Sequence, residues 1–262
     1  MNPQNSSDDE NAYAAPTSSP VTAKKKRSFT LVELAVVLAI IFLLVGMVMP
    51  MVGRGGSREP VRRTQCLNKV REIALATLNY ESANGHFPPA YIADENGKPM
   101  HSWRVLLLPY LEHKALYDSY RMDEAWDGPN NSELHDEIVS VYRCPSSSSD
   151  ENCTDFVLIT GEGTAFEDDQ TISWVNITDG SSNTVMVTEI AASDIHWMKP
   201  QDISLGQFLG LEKSAAEPNH SSTKNVALFD GSTHSIEIDA NAEELKKLVL
   251  IADGEVVNVL EL

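Results

Sequence analysis

His220 and Asp230 are residues whose types and spacing could support hydrolytic chemistry. Nine residues, SSTKNVALF, separate them, and Gly231 follows Asp230. A histidine beside a carboxylate can serve as general base for a hydroxyl nucleophile, which Ser221 or Ser222 would supply. No Gly-x-Ser-x-Gly elbow accompanies them in the sequence. We therefore favour the alternative, in which Asp230 sets a tight turn, His220 bonds a neighbouring backbone group, and no residue is catalytic.

Glu33 is a second candidate, because it lies near the start of the apolar run Phe29–Met49. That run, FTLVELAVVLAIIFLLVGMVM, would reach about 31 Å as a helix, enough for one hydrocarbon core. The basic residues Lys24–Arg27 precede it, and such clusters stay cytoplasmic. A carboxylate in an apolar run is costly and needs a cationic partner. The pattern predicts a transmembrane helix over residues 29–50 with a functional carboxylate.

Cys66, Cys144 and Cys153 permit one disulfide and leave one thiol over. If the chain runs from cytoplasm to exterior, all three lie outside, where a bridge can persist. We expect a structural bridge that includes Cys144, with Cys66 and Cys153 both open as its partner. The spacing of these cysteines is not typical of a metal site. The other histidines form no i, i+4 pair, so the sequence predicts no zinc site; they are His86, His101, His113, His135, His196 and His234.

Two acidic clusters could supply oxygen ligands to Ca²⁺, which prefers carboxylates and carbonyls from a loop. They are Asp123, Asp127, Asn130 and Asn131, and Glu162, Glu167, Asp168 and Asp169. Neither cluster follows the EF-hand spacing. We therefore expect no cofactor, with Ca²⁺ at Asp123, Asp127 and Asn130 left open as an alternative.

The formal net charge of −18 is unevenly distributed. Residues 1–50 hold four basic and four acidic residues, so the 16 basic and 34 acidic residues of 51–262 carry the whole imbalance. This argues against nucleic acid or anionic lipid as a partner of the outer domain, and leaves a solvated acidic surface or a cation-binding one. The polar residues 1–28 are predicted to be a disordered cytoplasmic leader.

The segments that must position these residues predict an α+β domain over residues 60–262. Three glycines within residues 53–56 predict a flexible junction over 51–59. A helix should then begin near Pro60 and end at about Ala83, before a glycine. Its predicted apolar stripe, which we expect to pack on a sheet, is Val61, Leu67, Val70, Ala74, Leu75 and Leu78.

The rest of the domain is predicted as short helices followed by strands. Ser102–Tyr120 favours two short helices broken at Pro109, and Ala242–Ala252 a short amphipathic helix. An Asp-Gly pair at Asp230 indicates a hairpin in a mainly antiparallel sheet. The predicted strand segments are Val139–Arg143, Phe156–Ile159, Thr171–Val175, Thr184–Ile190, Asn225–Phe229, His234–Ile238 and Val256–Leu260.

The segment KKKRSFTLVELAVVLAI resembles the cleavage and methylation segment of type IV prepilins and type II secretion pseudopilins. In those proteins a membrane-embedded aspartic peptidase cuts before the Phe and N-methylates it. The resemblance implies processing between Ser28 and Phe29. It also implies that Glu33 pairs with the N-terminal amine of a neighbouring subunit during assembly. Ser28 stands where that family normally has Gly, which implies slower cutting and leaves an uncleaved anchor as the alternative.

Several segments of the remaining chain are similar to the DUF1559 family of bacterial proteins. They include TQCLNKVREIALATLNYESANGHFPPAY, SWRVLLLPYLE, FVLITGEGT, ITDGSSNTVMVTE and HWMKP, in that order. The family carries a prepilin-type N-terminus and a domain of unassigned activity. Its C-terminal hallmark, His, nine residues, Asp-Gly, falls on His220, Asp230 and Gly231. The resemblance covers residues 28–255 and departs at the glycine-rich 53–56, where the family continues its helix.

Together these patterns predict a pilin-like, single-pass protein of the bacterial inner membrane with an extracytoplasmic C-terminal domain. The expected function is that of a structural subunit or accessory of a type II secretion or type IV pilus-related assembly. The alternative is a membrane-tethered binding module displayed through a prepilin-type signal. No enzyme activity is expected. The expected partners are the prepilin peptidase, other pilin-like subunits and the lipid bilayer, with no nucleic acid.

Overall fold

The computed structural model describes residues 30–52, 58–191, 193–211, 219–220, 222–255, 257–259 and 262. It divides into two units, Met1–Gly56 and Ser57–Leu262, and each is described by itself. The predicted leader, Phe29 and the glycines of the predicted junction lie outside the described residues.

The first unit contains one helix, α1 (Leu31–Val52), within its described residues. This helix coincides with the predicted apolar helix and continues two residues beyond Pro50. Its apolar side chains are exposed wherever they are described, from Leu31 to Val45. Within the described ranges, none of the helices combines the length and the apolar character needed to cross a membrane.

The second unit places short helices and strands around one long helix. Its α-helices are α2 (Arg58–Asn84), α3 (Trp103–Leu107), α4 (Lys114–Ser119), α5 (Leu205–Phe208) and α6 (Ala242–Lys247). Its strands are β1 (Tyr91–Ala93), β2 (Pro99–Ser102), β3 (Phe156–Val157), β4 (Ile159–Thr160), β5 (Val185–Glu189), β6 (Ile203–Ser204), β7 (Thr223–Leu228) and β8 (Thr233–Glu237). Single 3-10 turns occur at Leu108–Leu111, Asn131–Leu134, Ser140–Tyr142 and Trp174–Asn176.

The central sheet has the strand order β3-β5-β7-β8, and every neighbouring pair in it is antiparallel. The hairpin β7–β8 pairs Asn225 with Ser235 and turns at Asp230-Gly231, as predicted. Two smaller ladders join β1 to β2 in antiparallel and β4 to β6 in parallel orientation. The predicted α+β class with a mainly antiparallel sheet is therefore confirmed.

Helix α2 packs on one face of this sheet, because its buried residues recur at three- and four-residue steps. These residues are Cys66, Val70, Ile73, Ala74 and Thr77. They share a core with Met186, Val187 and Ala227 of the sheet. On the opposite face, Leu245 and Leu248 pack against Val185, Val226 and Leu228. With both faces covered, β5 is buried along its whole length.

The predicted stripe of α2 is wrong at two positions. Val61 is 61% and Leu75 51% exposed, because both lie outside the arc that faces the sheet. Cys66 and Ile73 are fully buried in their place. The helix itself ends as predicted, with Gly85 at a φ of +78° after the last helical residue.

Two predicted strands are 3-10 turns in the structure. At Ser140–Tyr142, the Lys69 ammonium donates to the carbonyls of Ser140 and Arg143, which a sheet partner would otherwise use. At Trp174–Asn176, the backbone N–H and the hydroxyl of Ser173 both donate to the Asn176 side chain, so a local cap replaces the ladder. Residues 257–259 also form no strand, and Val256 and Leu260 lie outside the described residues.

Candidate metal centre

Four side chains from four separate segments meet at the end of the sheet nearest the start of α2. They are Cys66, Cys144, Glu189 and His220, and all four are buried. One donor atom from each lies within 4.8 Å of every other. Among the described residues, no other group of three or more His, Cys, Asp or Glu side chains converges in this way.

The local fold explains why these residues meet. Cys66 lies on the sheet-facing arc of α2, and Glu189 is the last residue of β5. Cys144 follows the 3-10 turn that Lys69 holds in place, and His220 lies just before β7. Because β5 and β7 are neighbours in the sheet, the end of one and the approach to the other lie side by side under α2.

A carboxylate fixes the orientation of the His220 ring. The Nδ1 atom lies 2.6 Å from Oε1 of Glu59, in the first turn of α2. With Nδ1–H donating to that carboxylate, Nε2 carries the lone pair. Nε2 lies 3.5 Å from Sγ of Cys144 and 3.5 Å from Oε1 of Glu189. Nε2 therefore points into the cluster.

Amide groups hold the Glu189 carboxylate. Asn225 donates to Oε2 from its side chain at 2.6 Å and from its backbone at 3.3 Å. Asn219 donates to Oε1 at 3.1 Å. Because these contacts are N–H donors, they satisfy the carboxylate oxygens at this buried position and restrict the rotation of the side chain.

The two thiols lie in a poorly solvated environment. Burial, followed by the neighbouring Cys144 and Glu189, raises the pKa of the Cys66 thiol. The backbone N–H of Cys144 donates to Oδ2 of Asp155 at 2.7 Å. Burial raises the pKa of Asp155 to about 6. The Cys66 thiol is thus neutral at pH 7 unless a cation replaces its proton.

A cleft of about 300 Å³ reaches the cluster from the surface. Glu59, Arg63, Thr64, His220 and Thr223 contribute to its lining. Glu59 is half-exposed there, whereas His220 is only 3% exposed. The cleft gives a small solute access to the His220 side of the cluster.

His220 and Asp230, the pair predicted from their spacing, do not meet. They lie beyond opposite ends of β7. Asp230 accepts the backbone N–H of Ser232 at 2.8 Å and Gly231 has a φ of +82°, so this pair forms the turn, as expected. The expectation that His220 bonds a backbone group is wrong, because its partners are the side chains of Glu59, Cys144 and Glu189.

The structure holds Cys66, Cys144 and Cys153 as free thiols. The expected bridge to Cys144 is therefore not formed in the structure, although Cys66, one of its two expected partners, lies beside Cys144 in the cluster. Cys153 is half-buried and pairs through its backbone with His196. From the sequence we expected two of these three thiols to form a disulfide. The sequence did not predict a contact between any of them and Glu189 or His220.

The calcium candidates have other contacts. Both side-chain and backbone N–H groups of Asn130 donate to Glu124, at 2.9 and 2.8 Å. Neither Asp123 nor Asp127 belongs to the converging donor group found among the described residues.

Glu33, the predicted assembly residue, caps its own helix. Its Oε2 accepts the backbone N–H of Thr30 at 3.0 Å and the Thr30 hydroxyl at 3.1 Å. In the opposite direction, the backbone N–H of Glu33 donates to the Thr30 hydroxyl oxygen at 3.3 Å. This reciprocal pattern is a capping box, which holds the carboxylate at the N-terminus of α1. Ser28 and Phe29, the predicted processing residues, lie outside the described residues.

Two family models match the chain. Residues 23–49 match the prokaryotic N-terminal methylation motif. Residues 56–174 match a protein family of unknown function, DUF1559. The predicted DUF1559 resemblance is confirmed over these residues, while its extension to residue 255, with the His220 and Asp230-Gly231 hallmark, stays a prediction. The DUF1559 match contains Cys66 and Cys144, whereas Glu189 and His220 lie beyond its C-terminal limit. Neither the curated proteins nor the solved structures contain a match to the chain.

Proposed function

We propose that this protein is a pseudopilin-like structural subunit or accessory of a type II secretion or type IV pilus-related assembly. The observation that carries the proposal is the N-terminal methylation motif at residues 23–49, with Glu33 at the N-terminus of α1. We expect the protein to act by assembly and not as an enzyme.

The proposed processing follows from the motif. The prepilin peptidase would cut between Ser28 and Phe29, and Phe29 would become the methylated N-terminus of the mature chain. The apolar segment Phe29–Met49 would lie in the bacterial inner membrane, with Lys24–Arg27 on the cytoplasmic side. The domain after it would be extracytoplasmic.

The capping box supports the assembly role of Glu33. Thr30, which Glu33 caps, directly follows the residue that would carry the new amine. The carboxylate is therefore held at the depth where the Phe29 amine of an adjacent subunit would lie. A charge pair at that depth would offset the cost of each isolated charge.

Two substitutions of Glu33 separate assembly from capping. Gln retains the capping box, because its amide oxygen can also bond the cap residue, but it removes the charge. Ala removes both. Intersubunit crosslinking through single cysteines introduced in the 34–45 segment would be measured for each, with the parent lacking an introduced cysteine as control.

The proposal predicts that Glu33→Gln and Glu33→Ala both lose these crosslinks while inserting normally in the membrane. Equal crosslinking in the Gln variant and the parent would refute it, since the charge would then have no role. Mass spectrometry of the native N-terminus provides an independent measurement. A chain that retains Met1 would contradict processing and leave a plain anchor.

The alternative, a membrane-tethered binding module, is favoured by a second cleft in the outer domain. This cleft has a volume of about 370 Å³, and its lining includes Tyr91, Thr160, Glu162, Asp168 and Ser204. Such a polar lining suits a small polar ligand. If Glu33→Gln leaves the cellular activity of the protein intact while Tyr91→Ala abolishes it, the binding module is the better description.

A further inference from the structure

We propose that Cys66, Cys144, Glu189 and His220 bind one zinc ion that stabilises the outer domain. This centre is independent of the proposed assembly role, because all four ligands belong to the unit Ser57–Leu262. The argument rests on the ligand geometry, on the hydrogen bonds around the ligands, and on the chemistry of two thiols beside an imidazole.

The donor atoms have the spacing of a small tetrahedral site. Zn–N, Zn–O and Zn–S bonds of about 2.0–2.3 Å place tetrahedral ligand atoms roughly 3.4–3.8 Å apart. Nε2 of His220 lies 3.5 Å from both Sγ of Cys144 and Oε1 of Glu189. The remaining pairs are within 4.8 Å. A pair at that limit would have to contract by about 1.0–1.4 Å to complete the tetrahedron.

The hydrogen bonds beyond the ligands match those of zinc proteins. Metal-binding histidines usually donate their second ring N–H to a carboxylate, which fixes the tautomer. Glu59 accepts that bond from Nδ1 at 2.6 Å. The Asn225 amide holds the second oxygen of Glu189 at 2.6 Å, which leaves the first oxygen facing His220. Both ligands are therefore oriented before an ion binds.

The ligand types select the ion. Thiolates and imidazole favour zinc over Ca²⁺ or Mg²⁺, which prefer oxygen ligands. Two thiolates and one carboxylate would hold three negative charges, and a divalent ion leaves one. The Lys69 ammonium, which donates to the carbonyl of Arg143 next to Cys144, supplies a positive charge beside the site. Four protein ligands fill the coordination shell, so the site is structural and not catalytic.

The ion would join segments that are distant in sequence. Cys66 belongs to α2 and Glu189 to β5, while Cys144 and His220 come from loops. An ion bound to the folded protein alone stabilises it by mass action. At saturating zinc we expect the thermal midpoint of the outer domain to rise by about 10 °C.

The test uses the full chain, purified in detergent, reduced, and stripped of metal with a chelator. Titration with Zn²⁺ should give one bound ion per chain. Titration with Co²⁺ should produce thiolate-to-metal charge-transfer absorption and the intense visible bands of a tetrahedral site. Cys66→Ser and Cys144→Ser should lose the charge-transfer absorption, whereas Cys153→Ser, a matched control outside the cluster, should retain it.

A positioning role for Glu59 has its own readout. Glu59→Gln should weaken Zn²⁺ binding by about 10–100-fold and leave the thermal midpoint in chelator unchanged. A purely structural role of Glu59 would instead lower that midpoint.

The competing chemistry is a disulfide between Cys66 and Cys144. Non-reducing peptide mapping of the native protein that finds this bridge, together with no Co²⁺ or Zn²⁺ uptake after reduction, would overturn the proposal. If a ligand variant does not fold, thermal melts of the parent protein in zinc and in chelator still test the proposal. A thermal midpoint that is identical in zinc and in chelator would refute a structural zinc site.

Discussion

The buried ion pair between Arg104 and Asp202 allows a quantitative test of how the unit Ser57–Leu262 is held together. Its Nη2–Oδ1 distance is 2.7 Å, and the two side chains are 0% and 3% exposed. Asp202 also accepts the backbone N–H of Leu158 at 2.9 Å and the indole N–H of Trp103 at 3.1 Å. Burial raises the pKa of Asp202, while Arg104 opposes that shift. Since these three neighbours are donors, a protonated acid would lack an acceptor, and we assign the ionised form.

The magnitude follows from what each substitution leaves behind. Asp202→Leu leaves the Arg104 guanidinium buried without a counter-charge, which costs about 3–5 kcal/mol. Arg104→Leu leaves the carboxylate with two neutral donors and costs a similar amount. The double variant Arg104→Leu/Asp202→Leu removes both charges and leaves two N–H groups unpaired, at about 1–3 kcal/mol each. At the midpoints of these ranges, we expect the double variant to cost about 4 kcal/mol less than the sum of the single variants.

The assay is urea unfolding of the full chain in detergent, followed by tryptophan fluorescence. Trp103 is a local reporter, because the Arg104 guanidinium lies 4.7 Å from its ring centroid. The matched control is the exposed pair Lys114–Asp118, with side chains 72% and 57% exposed, whose removal should cost only about 0.3–0.5 kcal/mol. Additive single variants, with a coupling energy below about 1 kcal/mol, would refute the reasoning.

Three further predictions test other contacts of the unit Ser57–Leu262. Burial lowers the pKa of Lys224 to about 8. As the pH rises, the folded state therefore loses this proton before the unfolded state does. The unfolding free energy should thus rise by up to roughly 3 kcal/mol between about pH 8 and 10. Chemical denaturation should find no such rise in Lys224→Met. Gly231→Ala should cost more than Gly254→Ala in thermal melts, by about 1 kcal/mol, because only at Gly231 would the new Cβ meet Leu78, at 3.1 Å. Asn241→Ala should cost about 1 kcal/mol in urea unfolding, because it removes the N-cap of α6; an unchanged midpoint would contradict this.

The parts of the fold that could be predicted depend on local pattern. Gly85 marks the end of α2, and the Asp230-Gly231 pair marks the hairpin, because both positions need a positive φ that glycine adopts without strain. The wrong strand at Thr171–Val175 had suitable β-branched residues. A hydrogen bond from the Ser173 backbone N–H to the Asn176 side chain favours a local turn over a strand in this segment. A pattern of alternating apolar residues does not reveal such a bond.

The metal cluster could not be predicted because each of its members is ordinary in its own segment. Cys66 and Glu189 are more than a hundred residues apart, and Cys144 and His220 lie in loops. Zinc signatures are recognised when ligands share a turn, and here none do. One local signal was available: Cys66 lies four residues before Val70 and seven before Ile73, which places its thiol on the arc of α2 that faces the sheet.

The spacing of His220 and Asp230 has a geometric explanation that involves no contact between them. β7 provides six of the nine residues between His220 and Asp230. Nine residues in an extended conformation reach roughly 30 Å. At one end His220 bonds Glu59 in the first turn of α2. At the other, Gly231 lies against Leu78, 19 residues further along the same helix, or about 28 Å. The two lengths agree, so the spacing between His220 and Asp230 matches the length over which β7 lies along α2. His220 lies at one end of that contact and the Asp-Gly turn at the other. Their spacing therefore reflects the length of the contact between β7 and α2, and the two residues do not form a catalytic pair.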